Sequence, residues 1–458
     1  MFQSKTSGGN SDNKNIKLLS VVTILLFAGV LRFSLLSTTY QYPSGEEAIY
    51  GLIAKELIED GKITIKPYNV SYGGGTYVES FLSALSFKVF GISNISLKIP
   101  ILLLSLVSLG LVLFLGFRFL GPRYGIVWGI IYGFCPAFAK WNFTPRGGYI
   151  GLLVFIPLLI IFFLQIYKES GYKNIILFGF LSAFAFWNQP LILSFLITFS
   201  LFFFITNLNH ITTALTKSIL YIFISVFPRI FIEFFRESSL LLGSFVSSIN
   251  FFHTLSGIIK VFYFDLPSFF TYDNLDTVYQ VSISGYVWYF IVIISVISMV
   301  LNLKKEKFKN IFLLIFLTTS IIHIIIYSSS RMSGSAPRYL LPLGFCLIAI
   351  VSSEITRVLS FSRKFIKILV LSIVLFIGIM TVSEYIVMFQ EEYSVSDMGI
   401  PSKGKDLKEV IDFLKKNDYK YVYTNCSIQA RIMFESKSEI IASSDRFIPM
   451  VYSHPDKE

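Results

Sequence analysis

The sequence predicts an all-α polytopic membrane protein, and three observations support that fold class. Hydrophobic residues make up 54% of the 458 residues and charged residues only 15%, whereas a soluble globular domain carries roughly 25% charged residues. Many apolar runs approach the length of about 20 residues that a helix needs to cross a bilayer. Lysines and arginines cluster between those runs, as the positive-inside rule expects. The net charge of +11 therefore reflects membrane topology and does not indicate nucleic-acid binding.

The apolar runs predict about eleven transmembrane helices. The two runs that flank the Trp187-Asn188-Gln189-Pro190 string are short, so together they could form one broken hairpin. The predicted spans cover residues 18–36, 100–117, 124–139, 149–167, 175–187, 191–205, 219–235, 286–301, 311–327, 339–355 and 366–388.

The distribution of lysine and arginine predicts the direction of the chain. These residues occupy alternate loops, which places the N-terminus in the cytoplasm and the C-terminal tail outside. The predicted domains are a cytoplasmic polar leader at 1–17, a transmembrane domain at 18–389 and an extracytoplasmic tail at 390–458. Two long segments, 37–99 and 236–285, then face outward. The second is rich in aromatic residues, so we expect it to lie in the membrane interface.

The tail differs in pattern from the rest of the chain. Helices are predicted at 405–417 and 427–434, and strands at 419–423 and 439–441. We therefore expect a small α/β appendage outside the membrane. The cysteines and histidines are scattered along the chain, with neither a disulfide pattern nor metal-ligand spacing.

Two adjacent acids, Glu46 and Glu47, follow the first predicted span and begin an amphipathic helix at 46–60. Charge is costly near hydrocarbon, so ionisable residues at a membrane border are functional candidates. The structural alternative is that acids in the first turn stabilise the helix dipole. A glycine-rich stretch at 72–77 precedes a second helix at 78–90, and its backbone would permit a ligand to approach closely.

The string Gly-Glu-Glu-Ala-Ile-Tyr at 45–50, followed by Ala-Lys-Glu-Leu at 54–57 and by Gly61, resembles the first-loop motif of the GT-C glycosyltransferases. The resemblance is to the protein O-mannosyltransferase and aminoarabinose-transferase group. That group usually has aspartate where this chain has Glu46. Further similar strings, in the same order along the chain, are Phe90-Gly91, Pro145-Arg146-Gly147-Gly148-Tyr149, Trp187-Asn188-Gln189-Pro190 and Pro337-Arg338-Tyr339-Leu340-Leu341-Pro342.

The resemblance implies transfer of a sugar from a polyprenyl-phosphate donor to an acceptor at the outer face of the membrane, with inversion at the anomeric carbon. Glu46 matches the family's acidic position and is the implied general base, and Glu47 either supports it or takes its place. The two acids are also candidate ligands for a divalent cation, which some members use, and no other cofactor is implied. The acceptor stays open between a protein, a lipid and a glycan of the cell envelope.

Cations at the outward ends of the spans are candidates for holding the donor phosphate, because arginine pairs with phosphate oxygens in a bidentate manner. Arg146 and Arg338 lie in the family-like strings, and Lys140 and Arg331 lie in the same two outer loops. The alternative for each is a contact with lipid headgroups. The residues expected to line the substrate cleft are Tyr50, Tyr77, Trp187, Asn188 and Tyr339.

Other readings of the sequence stay open. A transporter or flippase for a lipid-linked sugar would show charges at the membrane midplane and repeated halves, and no repeat is visible here. A polysaccharide polymerase or ligase also combines many spans with a large outer loop. A non-catalytic GT-C relative is compatible with glutamate at the acidic position. In the seventh predicted span, Arg229 and Glu233 are four residues apart and are expected to form an ion pair.

Overall fold

The structure, a computed structural model, is almost entirely helical over the residues that it describes. These are residues 10–38, 40–61, 74–167, 171–235, 251–270, 283–302, 307–330, 337–360, 406–443 and part of 368–386. A sheet of two strands lies near the C-terminus. The predicted fold class, an all-α membrane protein with a small α/β tail, is confirmed.

Seven helices of the described chain are long and apolar enough to cross a membrane. They make the chain a multi-pass membrane protein. The total of about eleven spans and the direction of the termini stay predictions. The seven helices are Lys17–Thr38, Asn94–Leu120, Tyr149–Ile166, Ile211–Phe231, Ile283–Asn302, Ile311–Ser328 and Pro337–Leu359.

The α-helices of the membrane part are numbered here in chain order. They are α1 (Asn10–Thr38), α2 (Gly45–Glu59), α3 (Gly74–Phe90), α4 (Asn94–Leu115), α5 (Pro122–Phe134), α6 (Pro136–Ala139), α7 (Tyr149–Ile166), α8 (Tyr172–Asn188), α9 (Leu193–Thr206), α10 (Ile211–Phe235), α11 (Phe251–Lys260), α12 (Leu266–Phe269), α13 (Ile283–Asn302), α14 (Lys307–Ser328) and α15 (Leu341–Leu359). Short 3-10 turns occupy Lys140–Asn142, Pro190–Ile192 and Pro337–Leu340, and π-helical turns occupy Gly116–Leu120 and Val261–Asp265.

Aromatic side chains fill the centre of the bundle around Trp128 of α5, which is fully buried. Its ring centroid lies 6.1 Å from that of Phe312 and 5.8 Å from that of Phe316, both on α14. The ring of Phe345 on α15 lies 5.6 Å away. All three pairs meet edge to face, which is a favoured aromatic geometry. The cluster therefore joins α5 to α14 and α15, which lie far from it in the sequence.

The first outer loop forms the two predicted helices. Ser44 and Glu47 make a capping box at the start of α2: Ser44 N–H donates to Glu47 Oε2 at 2.5 Å, and Glu47 N–H donates to Ser44 Oγ at 3.4 Å. The second helix, α3, begins at Gly74, earlier than predicted. A side chain at Gly75 would come within 2.7 Å of the Gly148 nitrogen, so the glycines allow the first turn of α3 to pack against backbone.

The tail contains α16 (Lys408–Lys416), β1 (Tyr421–Tyr423), α17 (Cys426–Glu435) and β2 (Ile441–Ser443), and the strands are parallel. Both strands begin later than predicted. The reason for β2 is the turn after α17, where Lys437 and Ser438 have left-handed φ angles of 57° and 66°. Ser438 N–H donates to the Met433 carbonyl at 2.7 Å, which ends the helix and moves the start of β2 along the chain.

The tail packs against α2. The Phe434 ring lies over Gly51, where a Cβ atom would be 2.5–2.8 Å from three ring atoms. Glycine at this position therefore permits the close approach. Lys55 of α2 donates to Ser438 Oγ at 3.1 Å and pairs with Glu59 at 2.9 Å. The helix that carries the two predicted acids thus also carries the tail.

The second outer segment is described at 251–270 and from 283 onward. Tyr263 is exposed, as an interfacial residue would be. Phe269 and Phe270 are instead fully buried within the protein, and the interfacial location of the segment stays a prediction. The Phe270 ring lies 5.7 Å from that of Trp288 and nearly parallel to it. Their burial follows from the packing of α12 against α13.

Candidate active site

The predicted general base and a predicted phosphate-binding arginine form an ion pair. Glu46 lies in the first turn of α2, and Arg146 lies in the loop between α6 and α7. Arg146 Nε contacts Glu46 Oε2, with side chains 12% and 40% exposed respectively. The pair joins two segments that are far apart in the sequence, at a place that stays partly open to solvent.

Glu47 has different surroundings from Glu46. Its Oε1 lies 2.8 Å from Lys98 Nζ, and both side chains are buried. Lys98 also donates to the carbonyl oxygens of Tyr40 at 2.9 Å and Tyr42 at 3.2 Å. Adjacent residues diverge by about 100° around a helix, which explains the separate partners. Glu47, through its capping box and its bond to Lys98, holds α2 to the start of α4.

The loop that carries Arg146 is fixed by side chains from α2 and from the end of α8. Gly147 and Gly148 have left-handed φ angles of 64° and 74°, which glycine adopts without strain. Gly147 N–H donates to the Tyr50 hydroxyl of α2. From the end of α8, Gln189 Nε2 donates to the Gly147 carbonyl at 2.6 Å and Asn188 Nδ2 to the Gly148 carbonyl at 3.1 Å.

The five residues predicted to line the substrate cleft differ in burial and in the groups that they contact. Tyr50 and Asn188 are fully buried and hold the Arg146 loop from the inside. Tyr77 and Trp187 are half-buried, and their rings are parallel with centroids 6.3 Å apart. A side chain at Gly74 would lie within 2.6 Å of the Trp187 ring, so α3 and α8 meet closely beneath this aromatic pair.

The Pro337–Leu340 turn lies beside the Arg146 loop. Arg338 lies over the Tyr339 ring, 5.2 Å from its centroid. The Tyr339 ring in turn lies 6.5 Å from that of Tyr149, which begins α7 directly after the loop. The family-like strings around Arg146 and Arg338 are therefore neighbours in space. Of the other two predicted cations, the side chain of Lys140 and the whole of Arg331 lie outside the described residues.

Three functional candidates escaped the sequence analysis: Lys98, Glu79 and His323. Glu79 of α3 is 1% exposed, and the backbone amides of Arg146 and Gly148 lie next to its carboxyl group. Burial raises its pKa well above the ordinary value, despite those amides. His323 Nε2 lies 2.9 Å from the Tyr339 carbonyl oxygen. The rule that selected Glu46, charge in an apolar setting, applies equally to Lys98 and Glu79.

Arg229, which the sequence predicts to pair with Glu233, contacts the end of α8. Its Nη1 donates to the carbonyl oxygens of Phe186 at 2.6 Å and Trp187 at 3.0 Å. These are among the last carbonyls of α8, which have no partner within the helix. Arg229 therefore caps α8 at the end next to the Arg146 loop. The side chain of Glu233 lies outside the described residues.

Two solved structures of ArnT from Cupriavidus metallidurans have the same architecture as this chain. The apo form gives a TM-score of 0.59 at 12% identity, and the form bound to undecaprenyl phosphate gives 0.57 at 13% identity. Each comparison covers 93% of this chain and 86% of the ArnT chain. The chain has the GT-C fold.

A third structure with the GT-C fold is the oligosaccharyltransferase of Archaeoglobus fulgidus in complex with zinc and sulfate. Its TM-score is 0.54 at 12% identity, and the comparison covers 93% of this chain and 62% of the oligosaccharyltransferase. No protein-family model and no curated protein matches this chain. At such identities the likeness shows the fold, and the chemistry must be argued from this chain's own residues.

Within this GT-C fold, the acids do not converge on a shared cation. Glu46 pairs with Arg146 and Glu47 with Lys98. In the part of the chain that the structure describes, no group of three or more histidine, cysteine, aspartate or glutamate side chains is arranged to hold a metal ion. The charges of the site are balanced by arginine and lysine.

Proposed function

We propose that this protein is a GT-C glycosyltransferase that transfers a sugar from a polyprenyl-phosphate donor to an acceptor at the outer face of the membrane. The observation that carries the proposal is the Glu46–Arg146 ion pair. An inverting transfer needs a base at the acceptor and a cation at the leaving phosphate, on opposite sides of one carbon atom. The pair brings one group of each kind to the same site, where bound substrate would separate them.

In the proposed reaction, Glu46 accepts the proton of the acceptor hydroxyl. The acceptor oxygen forms a bond to the anomeric carbon while the bond from that carbon to the phosphate oxygen breaks. The sugar leaves with inverted configuration, and polyprenyl phosphate is released with its negative charge. A positioned carboxylate contributes about 10²–10⁴-fold to such a proton transfer.

Arg146 binds the donor phosphate in this proposal, and Arg338 assists from the neighbouring turn. A guanidinium carries five N–H donors, more than one carboxylate can accept, so Arg146 can contact Glu46 and a phosphate together. Its side chain is largely buried, and reduced contact with water strengthens the attraction between charges. The ArnT structure with undecaprenyl phosphate shows that a protein of this fold binds such a lipid.

The donor sugar has a candidate binding surface in the parallel rings of Tyr77 and Trp187. Both are half-buried and lie where α3 and α8 hold the Arg146 loop. Lys140, Arg331 and Tyr339 stay candidates for the same site from their places in the sequence. We include no metal step, although the oligosaccharyltransferase structure contains zinc, because each acid already has a cationic partner.

The test combines lipid binding with sugar transfer. Purified protein in lipid nanodiscs is titrated with undecaprenyl phosphate, and transfer is assayed with radiolabelled polyprenyl-phosphate sugars and a panel of acceptors. The wild type should bind the lipid, Arg146→Ala should bind it at least about tenfold more weakly, and Arg146→Lys should recover only part of the loss. Arg123→Ala, at the opposite end of α5 from α6, is the matched control. No binding by the wild type, or equal binding by Arg146→Ala, contradicts the proposal.

A further inference from the structure

His323 is a buried polar side chain that the proposed mechanism does not use. It lies on α14 and is only 2% exposed. Both nitrogens of its ring have a partner outside α14: Nδ1 lies 3.2 Å from Ser194 Oγ on α9, and Nε2 lies 2.9 Å from the Tyr339 carbonyl oxygen. The ring therefore joins α9 to the turn that leads into α15.

The two partners fix the protonation of the ring. A carbonyl oxygen can only accept a hydrogen bond, so Nε2 carries a hydrogen. A buried imidazolium between two uncharged partners would be costly, so the ring is neutral. In that form Nε2–H donates to the Tyr339 carbonyl, and Nδ1 accepts from the Ser194 hydroxyl. The two bonds together set the orientation of the ring.

A second hydrogen bond joins α9 to α14 one turn away from His323. Thr319 Oγ1 donates to Thr198 Oγ1 at 2.9 Å, and both residues are fully buried. Ser194 and Thr198 are four residues apart, as are Thr319 and His323, so each pair lies on one face of its helix. The threonine contact joins the two helices without reaching the turn. The histidine, which has two polar atoms at separate positions on its ring, also reaches the turn.

Both ends of this link lead to the candidate active site. Ser194 lies at the start of α9, shortly after Gln189, whose side chain donates to the loop that carries Arg146. Tyr339 lies in the same 3-10 turn as Arg338. The ring therefore bridges the segment that supports one arginine and the turn that carries the other.

We propose that His323 is a positioning residue that ties the Pro337–Leu340 turn to the start of α9 and thereby fixes where Arg338 lies. The hydrogen bonds to Ser194 and to Tyr339 form this link without any substrate. The consequence for donor binding rests on the proposed function, since it assumes that Arg338 assists in binding the donor phosphate.

The first test measures the turn and needs no substrate. Amide hydrogen exchange of the peptide that contains residues 337–341 is compared between the wild type, His323→Leu, His323→Gln and Ser194→Ala. Leucine removes both bonds of the ring and should speed exchange about fivefold or more. Glutamine keeps an N–H donor, so its exchange should lie between those of the wild type and the leucine variant. Ser194→Ala removes only the bond to Nδ1 and should speed exchange to a smaller extent. Unchanged exchange in either His323→Leu or Ser194→Ala overturns the proposal.

Thr319→Val is the matched control. It removes the buried hydrogen bond to Thr198 from the same helix, keeps the shape of the side chain and leaves both partners of His323 in place. Exchange at 337–341 should stay as in the wild type. If Thr319→Val speeds exchange there as much as His323→Leu does, the effect is general loosening of α14 and the proposal fails.

The second test is a double-mutant cycle on undecaprenyl phosphate binding. His323→Leu should weaken binding about fivefold or more in the wild-type background and by less than about twofold in the Arg338→Ala background, because it acts through Arg338. Thr319→Val should have the same small effect in both. Equal losses from His323→Leu in both backgrounds overturn the proposed link to Arg338. If the wild type binds no lipid while the exchange results hold, the proposed function fails and the positioning role stands.

Discussion

Glu46 and Glu47 are neighbours in the chain but differ in exposure and in cationic partner. Glu46 is 40% exposed beside Arg146. Glu47 is buried against Lys98 and completes the cap of α2. The sequence selected both acids because each is an ionisable residue at a membrane border. It could not assign their partners, because the α6–α7 loop brings Arg146 to α2 and α4 brings Lys98 there.

Glu47→Gln should therefore act on stability. The change leaves Lys98 buried without its carboxylate, and breaking a buried pair on one side costs about 3–5 kcal/mol. Thermal unfolding in detergent is the measurement. Glu59→Gln is the control, because Glu59 pairs with Lys55 at the exposed end of α2 and such pairs contribute about 0–1 kcal/mol. Equal effects of the two changes would show that the Glu47–Lys98 pair does not support the fold.

The pH dependence of stability should contain a contribution from Glu79. Burial raises its pKa in the folded protein, so folding favours the protonated form. That stability is fully present below the ordinary pKa of glutamic acid, about 4.3, and is lost as pH rises toward the folded pKa. The Tyr50 hydroxyl is a titratable group that interacts electrostatically with Glu79. The unfolding temperature is measured against pH for the wild type and for Glu79→Gln. Above that pH, the wild type should fall in unfolding temperature relative to the variant. Parallel curves for the two proteins would contradict this.

At the scale of elements, α2 joins the site to the tail. Its first turn carries Glu46, its middle packs under Phe434 through Gly51, and Lys55 bonds to Ser438. The helical and strand patterns of the sequence predicted α2 and the four elements of the tail. The glycine contact could not be predicted, since a single glycine in a helix gives no sign of which side chain covers it. The late start of β2 was missed because residues other than glycine adopt the left-handed turn after α17.

Gly51→Ala should undock the tail. The added Cβ would lie 2.5–2.8 Å from three atoms of the Phe434 ring, and overpacking of this kind costs typically about 1–3 kcal/mol. Limited proteolysis of the tail should become faster, and Phe434→Ala in the Gly51→Ala background should not speed it further. Gly110→Ala is the control, because nothing lies within 4 Å of a side chain there. Equal cleavage of the Gly51 and Gly110 variants would exclude a role for this contact.

For the whole molecule, composition and apolar runs were sufficient to predict an all-α membrane protein, because membrane helices leave a direct signal in hydropathy. The GT-C fold was predicted only through the resemblance of the loop strings to that family. The arrangement of helices around the site had no such signal. The loop strings around Arg146 and Arg338 are adjacent through Tyr149 and Tyr339, a contact between residues that no local pattern links. The distribution of lysine and arginine predicts the orientation of the chain in the membrane, and that prediction can be tested directly.

The tail should face outward. A Tyr423→Cys variant places a thiol on β1, where the native side chain is 70% exposed, and Cys426→Ser removes a neighbouring thiol. Cys135 and Cys346 are buried and should react little. In intact cells, a membrane-impermeant maleimide should label the variant from outside. Labelling that requires opening of the cells would reverse the predicted topology.

The central claim, that Glu46 is the base of a transfer whose leaving phosphate binds Arg146, is tested most directly by sugar transfer with Glu46→Gln. Glutamine keeps the shape of the side chain and cannot accept the proton. The account predicts a folded protein that still binds undecaprenyl phosphate and transfers sugar about 10²-fold or more slowly, with measurable activity recovered in Glu46→Asp. Transfer at the wild-type rate by Glu46→Gln would contradict it.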